Sequence, residues 1–296
     1  MLDFKPVTLD DIEKIKGYFG YSANRICDNT VGGMFMWREN FSMEYALFND
    51  TLITKIEVRH YDSKTAFSLP LGKDRQGALT EVEEYCRYSG LPLVYCLVTK
   101  DELPVLSSVY DNTELHWNPD WSDYLYRASD LVTLTGRKYH GQRNHINFFN
   151  RTYGSYSFEE IQSGNLSELK EFYGNIYLKT TKDSEFFVEE QNNTREVLDK
   201  YDAYGLIGGL IRVNGSIAAF SIGEILHDTL FVHIEKTDSG YRGVQQVINN
   251  EFAGHFAGEG IEFINRCEDD GDEGLRMAKQ SYHPCGLIDK YIVRVV

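Results

Sequence analysis

Leu131–Phe158, LVTLTGRKYHGQRNHINFFNRTYGSYSF, gathers Arg137, Lys138, Arg143 and Arg151, with His140 and His145, and holds no aspartate or glutamate. Guanidinium forks match the oxygens of phosphate and carboxylate groups. Arg137, His140, Arg143, Asn144 and Arg151 are therefore candidates for holding an anion, whether tRNA backbone, lipid headgroup or the diphosphate of coenzyme A. The competing reading has them salt-bridging an acidic second half and fixing two domains together. A second anion candidate is the turn bearing Gly240, Arg242 and Gly243, where backbone N–H groups and one guanidinium converge. Its structural alternative is a sheet-to-helix turn in which glycine supplies backbone freedom.

Carboxylates cluster later, at Asp269, Asp270, Asp272 and Glu273, just ahead of a helical pattern. They suit the positive end of that helix. Asp270 and Glu273 are also placed to receive a substrate ammonium. The spacing does not match a calcium loop, and no metal ion is expected. Lys279 follows as a binding candidate. Tyr282 can supply a proton to a leaving group, and His283 or Glu235 can act as base. Each has an ordinary structural alternative. No Gly-x-Ser-x-Gly, P-loop, His-Glu-x-x-His or dinucleotide fingerprint occurs, which sets hydrolase, NTPase, zincin and dinucleotide chemistry aside.

The elements that must position these groups belong to a chain of 296 residues, enough for two ordinary domains with substantial cores. Hydrophobic residues make up 42% and aromatics 14%, as in a folded globular protein. A formal charge of −15, from 45 acids against 30 bases, disfavours general nucleic-acid binding and leaves room only for a local patch. Five scattered cysteines without a C-x-x-C pair, no signal-peptide pattern and no bilayer-length apolar run point to a cytoplasmic protein with reduced thiols.

Periodicity predicts helices from Thr8 to Phe19, Asn29 to Trp37 and Gly77 to Ser89. Strands are predicted at Met43–Phe48, Leu52–Glu57 and Leu93–Val98. The stretch from Asn112 to Arg127 reads as an irregular crossover with Trp117 and Trp121 buried, and a domain boundary falls near Asp130. On a helix at ~100° per residue, Tyr139, Ile146, Phe149 and Tyr153 share an arc that faces a core. Helices at Leu166–Tyr177 and Ser184–Tyr201 precede a β meander over Gly205–Val213, Ser216–Leu226 and Thr229–Glu235. A helix carrying Val244, Ile248, Phe252 and Phe256 then packs on the sheet. Ile261–Ile264, a helix from Gly274 to Gln280 and a strand at Leu287–Val296 complete an α+β chain.

That order, carried by VNGSIAAFSIGEILHDTLFVHIEKTDSGYRGVQQVINNEF, resembles the GNAT (acyl-CoA N-acyltransferase-like) fold. Tyr241-Arg242-Gly243 resembles the start of its pyrophosphate loop. The alternating glycines that should follow are replaced by Val244-Gln245-Gln246-Val247, and Asp238 adds negative charge where a phosphate would sit. A resemblance over nearly the whole chain rests on CDNT at Cys27–Thr30, Met36-Trp37-Arg38, LTGRKYHGQRNHINFF, INNEF and EDDGDEGLRMAKQSYHP. These motifs are similar to the phosphatidylglycerol lysyltransferase C-terminal family. The resemblance implies two GNAT-like domains in tandem, divided here as residues 1–130 and 131–296. It further implies an aminoacyl- or acyltransferase, with aminoacyl-tRNA or acyl-CoA as donor and an amine or hydroxyl, on a small molecule or lipid headgroup, as acceptor. The rival expectations are an acyl-CoA-dependent N-acetyltransferase and a non-catalytic anion-binding protein on the same fold.

Overall fold

The computed structural model describes residues 2–59, 64–178 and 185–296. Its compact units are Met1–Asp123 with Ile288–Val296, and Tyr124–Leu287. The sequence reading divides the chain once, near Asp130; these units divide it after Asp123 and again after Leu287.

In the first unit a short strand β1 (Lys5–Pro6) leads to helix α1 (Ile12–Phe19). The carboxylate of Asp11 accepts from Thr8 N at 3.0 Å and Thr8 Oγ1 at 2.7 Å, the helix start its spacing predicts. Ile12, Ile15 and Phe19 are buried, as the 3.6-residue period requires. Helix α2 (Val31–Trp37) is capped by Thr30, whose Oγ1 accepts from Gly33 N at 3.0 Å. A Cβ on Gly33 would lie 1.8 Å from the Cys27 carbonyl oxygen, so this corner of the Cys27–Thr30 motif accepts only glycine.

Strands β2 (Glu44–Phe48) and β3 (Thr51–Glu57) join through Asn49 and Asp50, both left-handed at φ 44° and 54°. That is the primed hairpin turn whose twist matches its strands. There follow β4 (Thr65–Ser68), β5 (Leu71–Gly72), α3 (Arg75–Ser89), β6 (Val94–Thr99), α4 (Leu103–Ser107) and β7 (Thr113–Trp117). Leu79, Val82 and Cys86 of α3 pack with Ile53, Phe67 and Tyr95 in one core.

The second unit contains β8 (Asp123–Arg127), α5 (Ala128–Thr133), α6 (His140–Tyr153), β9 (Tyr156–Glu160), α7 (Ser163–Leu178), α8 (Glu185–Asp199) and α9 (Tyr201–Tyr204). The expected start of α8 at Ser184 lies outside the described residues. Next come β10 (Ile207–Val213), β11 (Ser216–Leu226), β12 (Thr229–Thr237), α10 (Val244–Phe256), β13 (Phe263–Asn265), α11 (Glu273–Gln280) and β14 (Gly286–Ile288). The last strand, β15 (Lys290–Val295), joins the first unit's sheet.

Both units repeat one plan. Three antiparallel strands form a meander, a helix follows, and the next strand runs parallel to the third: β6 beside β4, and β13 beside β12. The sheet orders are β1-β2-β3-β4-β6-β15-β7 and β14-β8-β13-β12-β11-β10-β9, with β5 paired to β3. The fold is α+β, two GNAT-like domains in tandem.

Two local expectations are corrected. The segment from Asn112 to Arg127 is not an irregular crossover, because β7 and β8 run through it. Trp117 is 46% exposed on the edge strand β7 rather than buried, while Trp121 is half-buried edge-on against His116. The single closing strand divides at Asp289: β14 belongs to one sheet and β15 to the other. Residues that share an apolar run can serve different sheets, which periodicity cannot register.

The return of β15 is anchored by charge. Lys290 Nζ lies 2.7 Å from Asp28 Oδ2 and 2.8 Å from Asp123 Oδ1. Asp123 Oδ2 accepts from Cys27 N at 2.7 Å. Asp123 and Lys290 are buried, so each compensates the desolvation of the other.

Candidate functional site

In the second unit, β12 and β13 pair only across Thr229–Phe231 and Phe263–Asn265, although β12 runs on to Thr237. Beyond Phe231 the strand has β11 on one side and, among the described residues, no parallel partner on the other. Side chains close this gap. Glu235 Oε1, on β12, is 3.1 Å from Arg266 Nη2, just past β13. Glu235 Oε2 accepts from Asn249 Nδ2 of α10 at 3.4 Å. The Arg266 guanidinium stands 5.2 Å from the Tyr282 ring centroid. Leu131, Val232, Phe252 and Ile264 pack around Glu235 and Asn249.

Burial works against the Arg266 charge, and Glu235 foremost among its neighbours holds its pKa above the ordinary value. Among the described residues, Arg266 Nη1, Asn249 Oδ1 and the Tyr282 hydroxyl are buried without hydrogen-bond partners. Each such group costs about 1–3 kcal/mol. Burial also pushes the Tyr282 phenol well up, so it keeps its proton.

The sequence candidates distribute unevenly around this centre. Glu235 and Tyr282 meet at Arg266. His283 is exposed instead; its Nε2 donates to Lys138 O at 3.1 Å, and its ring packs edge-on against Tyr139 at 5.7 Å. Lys279 is 5% exposed and buries its ammonium against backbone, donating to Arg266 O at 2.6 Å and Cys267 O at 3.1 Å. It acts as a strut for that loop.

Arg143 also turns onto backbone. Its Nη1 donates to Gly136 O at 2.8 Å and also to Leu134 O, closing the end of α5. Arg137, His140, Asn144 and Arg151 lie on the exposed face of the same stretch. Asn144 Nδ2 pairs with His140 Nδ1 at 3.1 Å, and Arg151 Nε donates to Asn147 O at 3.3 Å. Tyr139 and Phe149 supply the buried face, as the helical arc predicts.

The glycine turn is also internally engaged. Gly240 N donates to Asp238 Oδ1 at 2.9 Å, and Arg242 N donates to the Tyr153 hydroxyl at 3.1 Å. The Arg242 guanidinium covers the Phe148 ring at 4.6 Å. A Cβ on Gly243, at φ 92°, would meet His145 O at 2.6 Å, so this glycine seats the turn on α6. The backbone donors of Gly240 and Arg242 are thus taken by protein groups.

In the acidic loop, Asp269 is the buried member. Arg276 Nη2 reaches its Oδ1 at 2.7 Å, and the Tyr124 hydroxyl its Oδ2 at 2.6 Å. Burial opposes ionisation, but these bonds outweigh it and hold the carboxyl below its usual range. Asp272 caps α11 by accepting from Leu275 N at 2.9 Å, while Asp270 and Glu273 are exposed. The helix-start reading accounts for Asp272.

With this arrangement in hand, comparison with known proteins is specific. The family described as phosphatidylglycerol lysyltransferase, C-terminal, matches residues 19–294. The chain belongs to this family. A solved protein of unknown function from Bacteroides thetaiotaomicron is 31% identical, with a TM-score of 0.91 and 100% of both chains covered. L-PGS from Bacillus licheniformis is 13% identical with a TM-score of 0.64, covering 95% of this chain and 91% of that one. It shares the fold. An uncharacterised protein of Mycoplasmoides gallisepticum is 25% identical over 201 residues, 67% of this chain and 64% of its own length. The chain thus matches less than two thirds of that relative. Among the described residues no helix is long and apolar enough to cross a membrane.

One grouping escaped the sequence reading. Cys267 Sγ lies 3.8 Å from His233 Nδ1, and Glu224 Oε1 lies 2.9 Å from His233 Nε2. No motif carries these residues, because they come from β11, β12 and the end of β13. The sequence signal is a histidine within the otherwise apolar run Leu230–Ile234.

Proposed function

We propose that the chain is a cytoplasmic aminoacyl- or acyltransferase whose reacting carbonyl is received at the gap between β12 and β13. The observation that carries this reading is the set of unpaired buried atoms, Arg266 Nη1, Asn249 Oδ1 and the Tyr282 hydroxyl, gathered around Glu235. Buried polar atoms lacking partners are rare in folded proteins, and a polar ligand group would satisfy them. Arg266 Nη1 is the donor for a developing oxyanion, fixed by Glu235 so that little reorganisation is needed. The Tyr282 hydroxyl, protonated at neutral pH, is the proton source for the leaving oxygen. Asn249 Oδ1 accepts from an amide or ammonium. Glu235 holds Arg266 and takes the acceptor's proton.

The donor favoured is an aminoacyl ester of the aminoacyl-tRNA type, over acyl-CoA. The amides of Gly240 and Arg242 are engaged by Asp238 and Tyr153, which leaves a poor cradle for a diphosphate. Family membership supports the same class, with an amine or hydroxyl acceptor on a small molecule or lipid headgroup.

The test is transfer of labelled amino acid from a full set of aminoacyl-tRNAs to phosphatidylglycerol, lysine and peptide amines, in parallel with labelled acetyl-CoA. Transfer from at least one aminoacyl-tRNA is expected, falling at least about tenfold in Glu235→Gln. Transfer from acetyl-CoA alone would overturn the donor assignment, and no transfer from any donor would overturn the enzyme.

A further inference from the structure

β7 ends the first unit's sheet with its outer edge open. It pairs with β15 from Thr113 against Val295 to Trp117 against Tyr291 and, among the described residues, with no second strand. Glu114, Leu115, His116 and Trp117 are all exposed, Leu115 at 53% and Trp117 at 46%. We propose that this edge is a self-association surface, to which β7 of a second copy of the chain adds antiparallel about a twofold axis at Leu115. The dimer is independent of the transfer chemistry proposed above.

Open edges invite pairing, and folded proteins blunt them with very short strands, lysine, proline or bulges. The opposite edge of the same sheet is blunted in this way, because β1 is only Lys5 and Pro6. β7 is five residues long and holds neither lysine nor proline, and its pairing with β15 has no bulge.

Backbone parity decides which residues can pair. Val296 N donates to Asn112 O at 3.2 Å, so Asn112 turns its peptide groups toward β15. Alternation along the strand turns Glu114 and His116 the same way, and Thr113, Leu115 and Trp117 outward. The outward set is symmetric about Leu115. In a twofold pairing Leu115 exchanges both hydrogen bonds with Leu115 of the second copy, and Thr113 exchanges both with Trp117. Every outward N–H and C=O of the strand then has a partner.

Side chains select the same register. Glu114 of each copy falls opposite His116 of the other as a non-hydrogen-bonded pair, where Cα atoms approach to about 4.5 Å. A carboxylate facing an imidazole is a favourable cross-strand pair. Trp121 lies edge-on to the His116 ring at 5.8 Å. The neighbouring registers of the same parity would set Glu114 against Glu114, or His116 against His116, and lose that complementarity.

On the other face Leu115 meets Leu115, and Thr113 meets Trp117. In β15 these residues lie opposite Val293, Val295 and Tyr291, which belong to the first unit's core or pack against it. The apolar row of the core face thus runs past β15 onto β7 and continues across the axis. Such an isologous contact closes at two copies. A strand this short buries little area, so the dimer is weak and forms in the micromolar range.

The test is sedimentation equilibrium of the full chain from about 1 to 500 μM. The weight-average mass should rise toward twice the monomer value. Leu115→Lys sets two ammonium groups against each other at the axis and should weaken association at least about tenfold. Its urea midpoint should not change, because the residue is exposed. Oxidation in a Cys285→Ala background reads the register. Glu114→Cys and His116→Cys proteins should each stay monomeric on a non-reducing gel. Their mixture should form a disulfide dimer, since Cα atoms about 4.5 Å apart lie within disulfide range. Undiminished association of Leu115→Lys, or either single variant crosslinking as fast as the mixture, would overturn the proposal. A monomer at every concentration would also overturn it, leaving the edge to an extended segment of another polypeptide.

Discussion

At the scale of single residues, Tyr282 separates stability from function. Its hydroxyl is buried, unpaired among the described residues and held in its protonated form by burial. Removing an unsatisfied group relieves a desolvation cost, so Tyr282→Phe is expected to stabilise the free protein by about 1 kcal/mol. The same change should lower acyl transfer at least about tenfold if the hydroxyl protonates the leaving group. Urea unfolding and the transfer assay read the two effects independently. A stable variant with full activity would reduce Tyr282 to packing. The sequence named Glu235 and Tyr282 from their places in a GNAT-like order, but Arg266, which joins them, carried no local signal. Lys279 and Arg143 were legible as cations; that their charges are turned onto backbone carbonyls depends on neighbours distant in sequence.

At the scale of elements, β11 and β12 are more than a hairpin. Their bulge leaves His233 without an opposing residue, and the parallel pairing of β12 with β13 stops at Phe231. Both irregularities fall where the polar groups collect. Gly223→Ala would place a Cβ 2.0 Å from Phe231 O and force the bulge open. The expected cost is about 1–3 kcal/mol in urea unfolding. Unchanged stability would show that the bulge tolerates a side chain at this position. The meander itself was legible, because Asn214-Gly215 and the alternating apolar residues state it locally. A bulge is a mismatch between two strands, and neither strand announces it alone.

At the scale of the molecule, the first unit is completed by the chain's last strand. β15 lies between β6 and β7, and Lys290 binds Asp28 and Asp123 from within it. Lys290→Met would remove an ammonium from two carboxylates, one of them fully buried. Breaking such a pair from one side costs about 3–5 kcal/mol, so the midpoint of urea unfolding should fall markedly. A loss below about 1 kcal/mol would show that the pair is dispensable. Nothing in the sequence links Cys27-Asp28 to Lys290. The motif was legible as a resemblance, while its purpose emerged only when both ends of the chain met in one sheet.

The sequence by itself determined what depends on neighbours along the chain. Helix starts such as Thr8–Asp11, the hairpin turns at Asn49-Asp50 and Asn214-Gly215, and the buried arc of Tyr139 and Phe149 follow from capping, backbone sterics and periodicity. It also carried the family, through motifs spread along the chain. Tertiary structure alone decided which carboxylates and cations are paired, where β12 loses its neighbour, and that a glutamate and a cysteine from distant places meet at one imidazole. Desolvation and hydrogen-bond geometry act between atoms adjacent in space, so they become readable only once the chain has folded.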